Sequence, residues 1–157
     1  MAESEKDRIK KCKVKLARYC AYRERTHHEV KSKAMGLGLR NDEAEELLSE
    51  LISENFINEE RFAKTYVRDK FYLNKWGRNK ILQGLKQKRI SDYCIDSGMN
   101  EIDEDDYRNT LKSLFEKKIT TVKGDNQLIK NQKAASFLIG KGYESSMVWQ
   151  IIKEQSS

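Results

Sequence analysis

The stretch KAMGLGLRNDEAEELLSEL (33–51) returns twice in altered form, as GLKQKRISDYCIDSGMNEI (84–102) and FLIGKGYESSMVWQIIKEQ (137–155). In register, Ala34, Leu85 and Leu138 share one apolar position, Leu39, Ile90 and Tyr143 a second, and Ala44, Ile95 and Val148 a third. Leu47, Leu48 and Leu51 follow Ala44 at +3, +4 and +7, and Gly98, Met99 and Ile102 follow Ile95 at the same offsets. Val148 is followed by Ile151 and Ile152. This spacing gathers apolar side chains on one helix face, and its threefold return predicts tandem helical units.

Around each repeat the chain supplies helix boundaries. Asn41, Ser91 and Ser145 are the expected N-caps, because their side chains can accept the free amides of a first turn. Thr26-His27-His28-Glu29 has the form of a capping box that starts another helix. A longer helix fits ahead of each pair, over about Glu5–Arg25, Asn58–Asn74 and Glu104–Val122. Gly124-Asp125-Asn126 is the clearest internal break. The expected fold is all-α, with three-helix units at 1–57, 58–102 and 103–157. Each is too small to bury its apolar face alone, so neighbours should stack end to end.

Composition agrees. The 157 residues include no proline, which favours helix, and 36% are charged, well above the usual quarter, which favours an elongated shape. A monomer is expected, although the sequence itself does not set the oligomeric state. Cys12, Cys20 and Cys94 form no CxxC pair, and no apolar run approaches a membrane span. With no signal peptide in view, a reduced cytoplasmic protein is expected.

No catalytic constellation emerges, so no enzyme activity, metal or cofactor is expected. Adjacent His27 and His28 do not share a helix face. Gly36-Leu-Gly38 and Gly140-Lys-Gly142 lack phosphate-loop spacing and read as helix ends.

Charge is the informative feature. Residues 1–60 carry 12 basic and 13 acidic side chains, residues 61–89 carry 10 and 1, and residues 90–157 carry 9 and 11. A near-neutral chain with one strongly basic middle points to an anionic partner, nucleic acid or an acidic protein surface. Within RFAKTYVRDKFYLNKWGR (61–78), a helix turning about 100° per residue gathers Arg61, Lys64, Thr65, Arg68, Tyr72 and Lys75 into one stripe. Phe62, Ala63, Tyr66 and Leu73 lie opposite as core candidates, flanked by Val67 and Phe71. Tyr72 could stack on a base, and Trp76 reads as a packing anchor. The next helix, about Arg78–Lys88, turns Ile81, Leu82 and Leu85 inward and keeps Arg78, Lys80, Lys86, Lys88 and Arg89 at its ends and edges. These basic residues and Tyr72 form the expected binding surface.

The segment Asn58-Glu-Glu-Arg-Phe-Ala-Lys-Thr-Tyr-Val-Arg68 resembles the D-x-x-R-F-A-x-x-Y-V-R segment of the RecX regulatory proteins. Gly77-Arg-Asn-Lys-Ile81 with Leu85-Lys-Gln-Lys-Arg-Ile90 is similar to their G-x-x-x-I-x-x-x-L-x-x-K-G-I, and Arg23-Glu24-x-Thr26-x-x-Glu29-Val30 to their R-E-x-S-x-x-E-L. The likeness runs from about Leu16 to Gln155. Arg78 stands where that family often has proline, Arg89 where it often has glycine, and Gly98 replaces a usual alanine. The resemblance implies a curved array of three units that binds the RecA recombinase along the groove of its filament on single-stranded DNA. It implies negative modulation of filament growth, ATP hydrolysis and strand exchange in recombinational repair and the SOS response. The residues alone leave open whether the stripe meets DNA phosphates or acidic RecA side chains. Direct binding to single- or double-stranded DNA by helix-turn-helix-like units, or a helical scaffold for another acidic protein, are the alternative readings.

Overall fold

Capping chemistry divides the chain. The computed structural model describes residues 4–156, which hold nine α-helices and no strand. Ser4 accepts the Asp7 N–H at 3.1 Å and starts α1 (Glu5–Tyr22). The Thr26–Glu29 box closes at 3.0 and 3.4 Å and starts α2 (His27–Gly36). Asn58 caps α4 (Glu59–Arg68) by accepting the Arg61 N–H at 2.9 Å. Ser91, Asp103 and Asn126 do the same for α6 (Asp92–Met99), α7 (Glu104–Ile119) and α8 (Gln127–Gly140). The remaining helices are α3 (Asn41–Ser53), α5 (Arg78–Gln87) and α9 (Ser145–Gln155). Gly38 and Gly142 follow α2 and α8 with φ of 96° and 105°, a conformation that glycine adopts without steric cost.

Two expected caps move by one residue. Arg40 precedes α3, where the Glu43 carboxylate reaches back to accept the Arg40 N–H at 2.9 Å, so Asn41 is already helical. Glu144 precedes α9 in place of Ser145, and its carboxylate is committed to the neighbouring helices described below.

The larger correction lies after Arg68. Asp69–Leu73 continue α4 as a π-helical segment, with Asn74 N–H reaching the Asp69 carbonyl at 3.2 Å. This wider turn accommodates an extra residue and retards rotation, so the 100° projection fails beyond this point. Phe71 turns into the core at 1% exposure, whereas Leu73, an expected core residue, is 74% exposed. Phe62, Ala63 and Val67 are buried and Tyr66 is half-buried.

The repeat register places its residues as the spacing required. Ala34, Leu85, Leu138, Leu39, Ile90, Tyr143, Ala44, Ile95 and Val148 are all buried. They divide between two separate cores. Cys12, Leu16, Val30, Leu47, Leu51 and Ile57 belong to the core formed by α1–α3 and the turn that follows α3. The second core is continuous across α4–α9, from Phe62 to Ile152. Accessible surface is 9818 Å², against roughly 8200 Å² expected for a compact protein of this mass, so the stacked triples form an extended body.

The junction between α4–α6 and α7–α9 is closely built. Gly77 N–H donates to the Lys141 carbonyl at 2.8 Å, and Asn79 N–H to the Gly142 carbonyl at 2.9 Å. A Cβ on Gly77 would stand 2.2 Å from the Gly142 carbonyl carbon, so only glycine permits this backbone approach. The Tyr107 ring lies between Phe71 and Tyr143, with centroids 5.5 and 5.2 Å away. Its hydroxyl accepts the Arg78 N–H at 3.0 Å and donates to Glu144. Burial raises the Tyr107 pKa far above its ordinary value, so the hydroxyl stays a donor. The Tyr143 hydroxyl donates to the Lys75 carbonyl at 2.9 Å.

Candidate functional site

The expected binding residues come from α4, its π-helical end and α5, and the structure divides them by what each side chain touches. Arg61 is held: its Nε lies 2.6 Å from Glu24, and its guanidinium also donates to the Asn55 and Phe56 carbonyls. Lys64 lies 3.4 Å from Glu60 one turn earlier. Glu60 also accepts from the Ser97 hydroxyl at 2.7 Å, and this bond, with Lys64, holds its carboxyl below the usual range. Arg68 is exposed and its Nε donates to the Lys64 carbonyl at 3.3 Å.

Tyr72 is half-exposed, but its hydroxyl donates to Asp106 at 2.8 Å and accepts the Asp103 N–H at 3.4 Å. It thus ties the end of the π turn to the start of α7. Burial, with the Asp106 carboxylate, raises its pKa, while the Asp103 N–H opposes the rise. Lys75 is exposed on a left-handed residue with φ of 59°.

Arg78 faces the second junction. One guanidinium arm lies 3.0 Å from Glu144, the other bonds Glu104, and the group stacks 3.9 Å from the Tyr107 ring centroid. Burial disfavours its charge, but Glu144 and Glu104 outweigh burial and raise its pKa. Lys80 lies over the Trp76 ring at 4.2 Å, with Lys70 on the same ring at 4.6 Å. Trp76 packs against the second core. Lys86, Lys88 and Arg89 are exposed, and Arg89 sits at φ 61°, where its repeat counterparts are Gly38 and Gly142.

Arg61, Lys64 and Arg78 are paired with acids within the molecule, while Lys75, Lys86, Lys88 and Arg89 are exposed with no acid in ion-pair range among the described residues. The free positive charge therefore sits on α5 and its flanking turns more than on the α4 stripe. From Lys70 to Ser91 the sequence contains no acid.

Several residues were missed from sequence. Glu24 lies 37 positions from Arg61, and nothing in the chain's periodicity links them. His27 Nδ1 lies 3.2 Å from Glu59, bridging the first two triples. Lys70 shares Trp76 with Lys80. Asn79, Gln83 and Gln87 form an exposed row on α5, and their i, i+4, i+8 spacing was legible. Among the described residues no cluster of three His, Cys, Asp or Glu side chains could hold a metal, and no helix is long and apolar enough to cross a membrane.

Comparison with known proteins places the same segments in a known group. Residues 58–99 match the family model "RecX, second three-helix domain", and residues 104–152 match "RecX, third three-helix domain". Regulatory protein RecX of Clostridium tetani is 31% identical over 153 residues, covering 96% of this chain and 68% of that protein. Its counterpart in Clostridium perfringens strain 13 is 30% identical, covering 94% and 69%. The crystal structure of RecX from Lactobacillus salivarius superposes with a TM-score of 0.86 at 26% identity, covering 94% of this chain and 96% of that one.

Proposed function

We propose a function from one premise: this chain belongs to the RecX family of regulatory proteins. It binds the RecA–DNA filament and restrains RecA, limiting filament growth and with it ATP hydrolysis and strand exchange during recombinational repair and the SOS response. It acts as a monomeric, non-enzymatic cytoplasmic protein, with units at 1–57, 58–102 and 103–157. The observation that carries the siting is the acid-free segment from Lys70 to Ser91, whose Lys75, Lys86, Lys88 and Arg89 side chains are exposed and unpaired. Placing like charges together costs free energy that a polyanionic partner offsets. Arg61, Lys64 and Arg78 serve this surface indirectly, by fixing the helices that carry it.

The test is inhibition of RecA's single-strand-dependent ATPase. Charge reversal of Lys75, Lys86 and Lys88 to Glu is expected to raise the concentration needed for inhibition by about tenfold or more, since several phosphate contacts are lost. The far-UV circular dichroism should be unchanged. Undiminished inhibition by a folded variant overturns the siting, and absence of inhibition by the unaltered protein overturns the function.

A further inference from the structure

The exposed face of α5 carries more than charge. Asn79, Gln83 and Gln87 stand one above another along it, spanning about 12 Å at the helical rise. Leu82 and Lys86 join them in lining a shallow depression of about 430 Å³. The three amide side chains make no hydrogen bond to protein among the described residues, so their donors and acceptors face solvent. The helix is anchored by its other side: Ile81 and Leu85 are fully buried, and the backbone N–H groups of Arg78 and Asn79 bond Tyr107 and Gly142. A fixed helix thus offers a row of paired donors and acceptors, with Lys86 among them and no acid lining the depression.

We propose that this row reads base edges in DNA, with the chemistry of an adenine N6/N7 edge as its preferred partner. Asn and Gln amides can donate and accept at once, which matches that edge in a bidentate manner, while an apolar neighbour such as Leu82 suits a thymine methyl. The 12 Å row corresponds to about three to four base steps at 3.4 Å each. Lys86 lies in the same depression for the phosphates, which position without specifying. The inference rests on the proposed function for its biological setting, because it makes the chain's contact with the filament's DNA direct and sensitive to composition.

The experiment measures binding without RecA, by fluorescence anisotropy, to oligo(dA), oligo(dC), an A·T-rich duplex and a G·C-rich duplex across a salt series. The unaltered protein is expected to favour adenine about tenfold, in the single-strand arm, the duplex arm or both, which identifies the source of the edge. Asn79→Ala/Gln83→Ala/Gln87→Ala should erase the preference and leave the salt dependence unchanged, because neutral amides release no counterions. Lys86→Ala should weaken all four ligands alike and lower the salt slope by about one. Alanine is a good helix former at these exposed positions, so folding is preserved. No adenine preference, or one that survives the amide substitutions, overturns the inference. RecA ATPase assays on the same preparations separate the two claims. Inhibition without base preference leaves the proposed function standing and removes this inference, and base preference without any effect on RecA does the reverse.

Discussion

The two junctions between successive helix triples use the same positions and reach different results. Thr26 precedes α2 and Gly77 precedes α5, 51 residues on, so His27 and Arg78 correspond. Each lies beside the glutamate that opens the next triple, Glu59 or Glu104. At the second junction this pair is backed by Gly77 against Gly142, the Phe71–Tyr107–Tyr143 ring stack and a continuous core. At the first, Gly142 is replaced by Arg89, Tyr143 by Ile90 and Tyr107 by Phe62, and the joint rests on the Glu24–Arg61 and His27–Glu59 contacts. No residue of α1–α3 joins the second core. A repeat can therefore keep its backbone plan while two glycines and two tyrosines decide whether neighbours fuse or merely touch. The buried side chains thus form a one-triple core beside a two-triple core.

The most severe way to break this contrast is Gly77→Ala. The added methyl meets the Gly142 and Tyr143 backbones at 2.2 Å, neither of which can yield without parting the triples. A loss of about 3 kcal/mol is expected from overpacking against backbone. In urea denaturation it should move the α4–α9 transition and leave that of α1–α3 in place. A single transition shifted as a whole would show that the cores are not independent.

Arg89→Gly works in the opposite sense. Arg89 holds φ at 61°, a conformation that costs a residue bearing a Cβ about 1 kcal/mol relative to glycine. The substitution supplies the glycine that Gly142 provides at the second junction. It should stabilise α4–α9 by up to about 1 kcal/mol while removing one free cation, raising the melting temperature and reducing the salt dependence of the proposed DNA binding together.

Glu24→Gln should have the smallest effect. The Glu24–Arg61 pair is partly exposed on both sides, at 27% and 38%, so its loss is expected to cost under about 1 kcal/mol. A double-mutant cycle with Arg61→Gln measures that coupling. A larger value would mean that the first junction is stiffer than its polar make-up suggests.

Much of the fold was legible because the repeat is an apolar pattern, and burial obeys apolar patterns. All nine register positions from Ala34 to Val148 are inside. Thr26, Ser91 and the break before Asn126 marked helix starts through local chemistry that needs no tertiary partner. The π-helical turn was not legible. Its i, i+5 bonding accompanies the packing of Phe71 against Tyr107, a contact distant in sequence, and the residues between Arg68 and Asn74 carry an ordinary helical pattern. The site was half legible for the same reason. The concentration of charge belongs to the sequence, but which cations are spent internally depends on Glu24 and Glu144, 37 and 66 positions away.

The separation of the two cores also bears on the order in which the chain can fold as it is made. Residues 12–57 contain every buried side chain of the first core, so that core can close as soon as Ile57 is free of the ribosome. The middle triple has no such freedom. Phe71 waits for Tyr107, and Tyr107 for Tyr143 and Glu144, so its central aromatic surface stays open through most of the synthesis of the third triple. Domains fold as units, from the N-terminus onward during synthesis. The strongly basic middle, acid-free from Lys70 to Ser91, is the part kept unfinished longest, and its like charges help to keep that open intermediate soluble until its partners arrive.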